Sequence, residues 1–120
     1  MDDFKIETEH RQNEDVRILR IIGPLALTTL FDFQDALRRE AAAVTIIDLS
    51  AVPYIDSVAL GSLLGLHVSC EQKGRQYALA GTIERLENIF RVTHVDNILR
   101  CFHTVRDAQK ALPASVASGN

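Results

Sequence analysis

The run Val44-Thr45-Ile46-Ile47-Asp48-Leu49 most narrows what this chain can become. It is nearly continuous in apolar residues, rich in β-branched ones, and too short to stand as a helix. A strand of that kind is buried on both faces and therefore lies centrally in a sheet. A short turn follows, and then Asp56-Ser57 opens a helix that runs through leucines and glycines to about Lys73. Gly74 is a natural left-handed terminator for it.

The flanking sequence builds outward from that strand–turn–helix unit. Phe4, Ile6 and Thr8 alternate with charged residues, which predicts a half-buried strand. The polar segment from His10 to Asp15 predicts a loop, and Val16 to Ile22 a second strand that forms a hairpin with the first. Gly23-Pro24 stops that strand. Thr28 or Thr29 is placed to cap a helix reaching about Ala42, with Leu30, Phe33 and Leu37 on its apolar side and Phe31 as a further candidate. Tyr77 to Ala80 predicts a strand, Thr82 a cap for a helix from Ile83 to about Val92, and Ile98 to Phe102 a last strand. Thr104 with Asp107 resembles a capping box for a helix ending at Leu112 before Pro113. The order is ββαβαβαβα: a single α/β domain over residues 1–112, with a mixed, mostly parallel sheet of about five strands and about four helices. Residues 113–120 are small and polar and are expected to form a flexible tail.

Composition removes several functional classes. A chain of 120 residues suits one domain whose core needs neither disulfide nor metal. A net charge of -3, with Arg38-Arg39 the only basic doublet, argues against a nucleic-acid face. Cys70 and Cys101 lie in apolar settings without a CxxC and read as reduced core residues; His10, His67, His94 and His103 show no ligand spacing. His67 reads as a histidine at the core rim with a hydrogen-bond partner. The N-terminus lacks the blocks of a signal peptide, and the longest apolar run, Val58 to Leu66, falls well short of the roughly 20 residues that span a bilayer. A cytoplasmic protein without membrane insertion or direct nucleic-acid contact is the expectation. Ile55-Asp56-Ser57-Val58-Ala59 lacks the nucleophile-elbow glycines, and Gly61-Ser62-Leu63-Leu64-Gly65 is no phosphate loop. No nucleophile–base pair, metal cluster or cofactor loop is present, so no catalytic residue or cofactor is assigned and the chain does not read as an enzyme.

The helix after Asp56-Ser57 has an unusual outer face. At about 100° per residue, Leu60, Leu63, Leu64 and Cys70 share the core side, with Ala59 and Leu66 near its edge. Val58, Gly61, Ser62, Gly65, Ser69 and Gln72 fall opposite, where most helices carry Lys and Glu. Two glycines inside a helix cost roughly 1 kcal/mol each relative to alanine. Either a neighbouring element packs closely there, or that face receives a partner. Ser57 is equally two-sided. Its hydroxyl could cap the helix, or Asp56 could cap it and leave the hydroxyl free for a phosphate, which a helix N-terminus tolerates.

With these residues in view, the sequence resembles the STAS domains, and among them the bacterial anti-anti-sigma factors (anti-sigma factor antagonists), over about residues 4 to 112. The resemblance rests on Asp48-Leu49-Ser50 followed by Ile55-Asp56-Ser57-Val58-Ala59-Leu60-Gly61-Ser62-Leu63-Leu64, on Phe90 to Leu99, and on Thr104-Val105-Arg106-Asp107-Ala108. It implies that Ser57 is phosphorylated by a partner that is both serine kinase and anti-sigma factor. The bare protein would bind that partner, phosphorylation would prevent binding, and a serine phosphatase would restore it. Asp56, Ser57, Val58, Gly61, Ser62, Gly65 and Ser69 are then the expected partner-binding residues. Ala59 stands where the family usually has glycine, His94 where glycine is common, and Pro24-Leu25-Ala26-Leu27 where an acidic residue often follows the turn. The same family also supplies subunits of signalling assemblies and transport systems, in which the domain is an interaction module independent of phosphorylation.

Overall fold

The computed structural model describes residues 4–11, 15–39 and 42–112. Strands β1 (Lys5–Arg11) and β2 (Val16–Ile22) form the antiparallel hairpin. Strands β3 (Val44–Ala51), β4 (Gln76–Ala80) and β5 (Cys101–Phe102) follow in parallel, giving one sheet in the order β1-β2-β3-β4-β5. The apolar run of β3 holds the middle place, as its composition requires. Helices α1 (Leu30–Arg38), α2 (Ser57–Lys73) and α3 (Glu84–Val92) pack on one face, where Phe33, Leu63, Leu86 and Phe90 meet Leu19, Ile47, Leu49 and Leu79. Helix α4 (Val105–Ala111) covers the other face through Ala108 and Leu112, against Ile18, Val44, Ile46 and Ala78. Alternate residues of β2 and β3 thus serve opposite layers.

The strand ends nearest the helix C-termini carry a polar row. Arg17, Thr45 and Tyr77 are register partners across β2, β3 and β4. The Arg17 guanidinium is 4% exposed and donates to Thr45 Oγ1 at 3.0 Å and to the carbonyls of Ala36, Leu37 and Arg39. The end of α1 is therefore closed by a strand residue on its inner side, and Arg39 is already extended. Tyr77 accepts the N–H of Arg100, and its hydroxyl lies 2.8 Å from His67 Nδ1. His67 is the core-rim histidine expected.

Several boundaries move from where the sequence puts them. Strand β1 runs on through His10 and Arg11, because that polar stretch pairs fully with Val16 and Arg17; residues 12–14 lie outside those described. Helix α1 stops at Arg38 rather than near Ala42. Thr29 sits at its N-cap position, yet its hydroxyl donates to the Pro24 carbonyl and accepts from Ala26 N–H, fixing the preceding turn instead. Phe31 is 70% exposed, so it does not belong to the apolar side of α1. Thr82 does not cap α3: Ile83 holds that position, and the Thr82 hydroxyl reaches Glu87 at 3.4 Å. Strand β5 shrinks to two residues because Ile98 and Leu99 N–H turn back onto the Val95 carbonyl. Cys101 is consequently exposed at the sheet edge rather than in the core, whereas Cys70 is buried; both are free thiols. The tail expected at 113–120 lies outside the described residues.

His94, just after α3, has φ +63°. A left-handed conformation costs a non-glycine residue roughly 1–2 kcal/mol, partly offset by the freedom glycine loses on folding. His94→Gly is expected to raise stability by roughly 0.5–1 kcal/mol in urea unfolding at unchanged m-value.

Candidate functional site

Two loops meet at the start of α2. Leu25 N–H donates to the Tyr54 carbonyl at 3.1 Å, and Asp56 N–H donates to the Leu25 carbonyl at 3.3 Å, forming an isolated parallel bridge between Leu25 and Ile55. Asp56 joins them by its side chain as well. Its Oδ1 accepts Ala59 N–H at 2.9 Å, the N-cap bond of α2, and its Oδ2 accepts Leu27 N–H at 2.9 Å. These backbone donors, Ala59 first and Leu27 second, hold the Asp56 carboxyl below the usual carboxylate range. It is therefore ionised at neutral pH, and its contribution to stability is lost only as the pH falls through the lowered value.

That arrangement decides between the two readings of the Asp-Ser pair. With Asp56 as cap, Ser57 is the first helical residue, exposed, and its hydroxyl makes no hydrogen bond among the described residues. A free hydroxyl is thus presented to solvent at a helix N-terminus. Around it stands an apolar surface of which the sequence pattern singles out only Val58: Leu27 is 57% exposed, Tyr54 45% and Val58 43%. Leu27 and Tyr54 are held beside Asp56 by the two loop bonds just described. Leu27 and Phe31 lie four residues apart and out of phase with Leu30, Phe33 and Leu37, the one sequence signal that could have marked them as outward-facing.

The small-residue face of α2 opens onto a groove. Val58, Gly61, Ser62, Gly65 and Ser69 form one wall, Leu30, Gln34 and Leu37 of α1 the other, and Arg17 and Thr45 the floor, enclosing about 770 Å³. The structure thereby brings five of the seven expected partner-binding residues into the groove lining, and Ser57 adjoins its Val58 end. Asp56 stands apart from the rest, since its carboxylate is committed to the two loop bonds. A Cβ placed on Gly61 or Gly65 would meet no atom within 4 Å. Close packing within the chain is therefore not what keeps these positions small.

Comparison with known proteins gives a consistent picture. The family model for the STAS domain matches residues 7–108. The anti-sigma-B factor antagonist of Listeria monocytogenes is 28% identical over 99 residues, covering 80% of this chain and 86% of that protein. A crystal structure from Thermotoga maritima, of a protein provisionally assigned as an anti-sigma factor antagonist, superposes with a TM-score of 0.81 at 24% identity, covering 88% of this chain and 92% of that one. A sulfate transporter family protein from Wolinella succinogenes superposes with a TM-score of 0.66 at 25% identity, covering 88% of this chain and 89% of that one.

Proposed function

Because this chain belongs to the STAS domain family, we propose that it is an anti-sigma factor antagonist, switched by phosphorylation of Ser57. Unphosphorylated, it binds an anti-sigma factor in the cytoplasm through the apolar surface around Ser57 and the adjoining small-residue face of α2. The observation that carries this reading is the division of labour in the Asp-Ser pair: Asp56 takes the capping bonds and leaves the Ser57 hydroxyl exposed and unbonded. A kinase activity, in the anti-sigma factor or bound to it, transfers phosphate to that hydroxyl, and a phosphatase removes it.

The physics of the switch is local. A phosphate adds about -1.5 to -2 charge. The helix dipole and the first-turn N–H groups favour it there, so the fold persists. Asp56 is already ionised beside it, and Leu27, Tyr54 and Val58 surround it. Docking an apolar partner surface onto that charge would require its desolvation, a cost that falls on the complex and not on the free protein.

Substitutions at Gly61 test the docking face apart from the phosphate. Gly61→Ala fills open space and is expected to stabilise the fold by roughly 0.5–1 kcal/mol through helix propensity. Gly61→Lys leaves the fold intact and is expected to weaken anti-sigma binding by about 1–2 kcal/mol in a calorimetric titration. Near-normal affinity of the lysine variant would remove α2 from the interface.

The Wolinella neighbour favours a second reading, a STAS module of a transport assembly whose contacts ignore phosphorylation. Among the described residues no helix is long and apolar enough to cross a membrane. Association that survives Ser57→Asp unchanged would favour it.

A further inference from the structure

The groove between α1 and α2 is electrically lopsided. Both helices run back from the C-terminal ends of their strands, so Leu30 and Val58 mark the end near Ser57. Arg38 and Lys73 mark the other end, where Arg17 of β2 and Arg75, just ahead of β4, join them. Four cations line that end, and no Asp or Glu lines the groove among the described residues, in a chain of net charge -3. Arg17 is engaged by the end of α1 and by Thr45, and Arg38 pairs with Asp35. The side chains of Lys73 and Arg75 make no hydrogen bond or ion pair among the described residues; the Arg75 N–H donates to the Cys70 carbonyl. Arg17, Lys73 and Arg75 line the groove together with Cys70.

From that basic end toward Ser57 the charged side chains give way to a mixed, uncharged lining: Leu37, Leu66, Leu30 and Val58 alternate with Ser69, Gln34 and Ser62, and the bare backbone of Gly65 and Gly61 lies between them. The helix rises about 18 Å from Gly61 to Lys73. A volume of about 770 Å³ falls within the usual range for small-molecule sites, roughly 300–1,000 Å³. We propose that this groove binds a dissolved linear amphiphile with a single anionic head, the head held by Lys73 and Arg75 and the tail laid along Gly65 and Gly61 toward Val58. The glycines keep the tail's path open, and the cations supply a site for the head.

This site stands on the groove alone and does not depend on the partner reading. If both hold, the tail covers the α2 face that docks the anti-sigma factor, and the amphiphile competes with it. Sodium decanoate, kept below its micelle concentration, is the probe. Titrated into ¹⁵N-labelled protein, it is expected to shift the amides of Gly61, Gly65, Ser69 and Lys73 saturably. The Lys73→Glu/Arg75→Glu variant should bind at least tenfold more weakly, as should Gly65→Leu, which blocks the tail's path without touching a charge. Absence of saturable shifts overturns the proposal. So do shifts centred elsewhere, undiminished affinity in both variants, or an equal response to uncharged 1-decanol. Because the readout uses the isolated chain, failure here leaves the anti-sigma reading standing, and failure of that reading leaves this one.

Discussion

Ser57→Asp will bind the anti-sigma factor about a hundredfold more weakly than the wild type, a difference of about 2.7 kcal/mol. Ser57→Ala will bind within about threefold of it. The asymmetry follows from the site's geometry. The serine hydroxyl makes no bond that alanine would forfeit, since Asp56 supplies the cap. A carboxylate at residue 57, by contrast, places a second negative charge next to Asp56 and among Leu27, Tyr54 and Val58. Docking an apolar partner surface there would have to strip water from the added charge. Isothermal titration of each variant, with circular dichroism to confirm an intact fold, separates the two effects. Equal affinity for the aspartate variant would mean that the contact lies away from the start of α2.

The second large effect concerns stability. Arg17→Ala is expected to cost roughly 3 kcal/mol in urea unfolding, because hydrogen bonds to a charged group contribute about 1.5–3 kcal/mol and several end on this one side chain. Its removal leaves the carbonyls of Ala36, Leu37 and Arg39 and the Thr45 hydroxyl to find new partners at the floor of the groove. Arg17→Met, which keeps the aliphatic stem, should recover only a minor part of the loss. Arg17→Lys should lie between, since one ammonium cannot fork across the same set of acceptors. A loss below about 1 kcal/mol for the alanine variant would show that water replaces the guanidinium at the end of α1.

How much of this was legible in the sequence depended on how local the cause was. The β3 run, the Gly74 stop and the Thr104 cap are settled by a few neighbouring residues, and each lies where its pattern puts it: Thr104 accepts Asp107 N–H at 3.0 Å and Gly74 takes φ +68°. The small face of α2 was legible because it is a periodicity within one helix. Its meaning was not, because the wall opposite belongs to α1, and only the packed pair shows open space beyond Gly61 and Gly65.

The choice between Asp56 and Ser57 as cap could not be read at all. Both are good capping residues, and the carboxylate that takes the cap bond from Ala59 N–H is also held by Leu27 N–H, 29 residues away in sequence. The burial of Arg17 was hidden for a similar reason. In a strand pattern it looks like a solvated residue, yet it lies on the face shared with Leu19 and Ile21, covered by α1. Strand β5 was overcalled because Ile98 and Leu99 are as apolar as strand residues, while their N–H groups close a turn on Val95.

The central claim is that Ser57 carries the switch. Incubation of the purified chain with its cognate anti-sigma kinase and ATP, followed by tandem mass spectrometry of the intact and digested protein, tests it most directly. The account predicts one phosphate per chain, located on Ser57, absent from Ser57→Ala, and removal of that phosphate by a serine phosphatase with return of full anti-sigma binding. Phosphate on another residue, or a chain that stays unmodified while binding its partner normally, would contradict it.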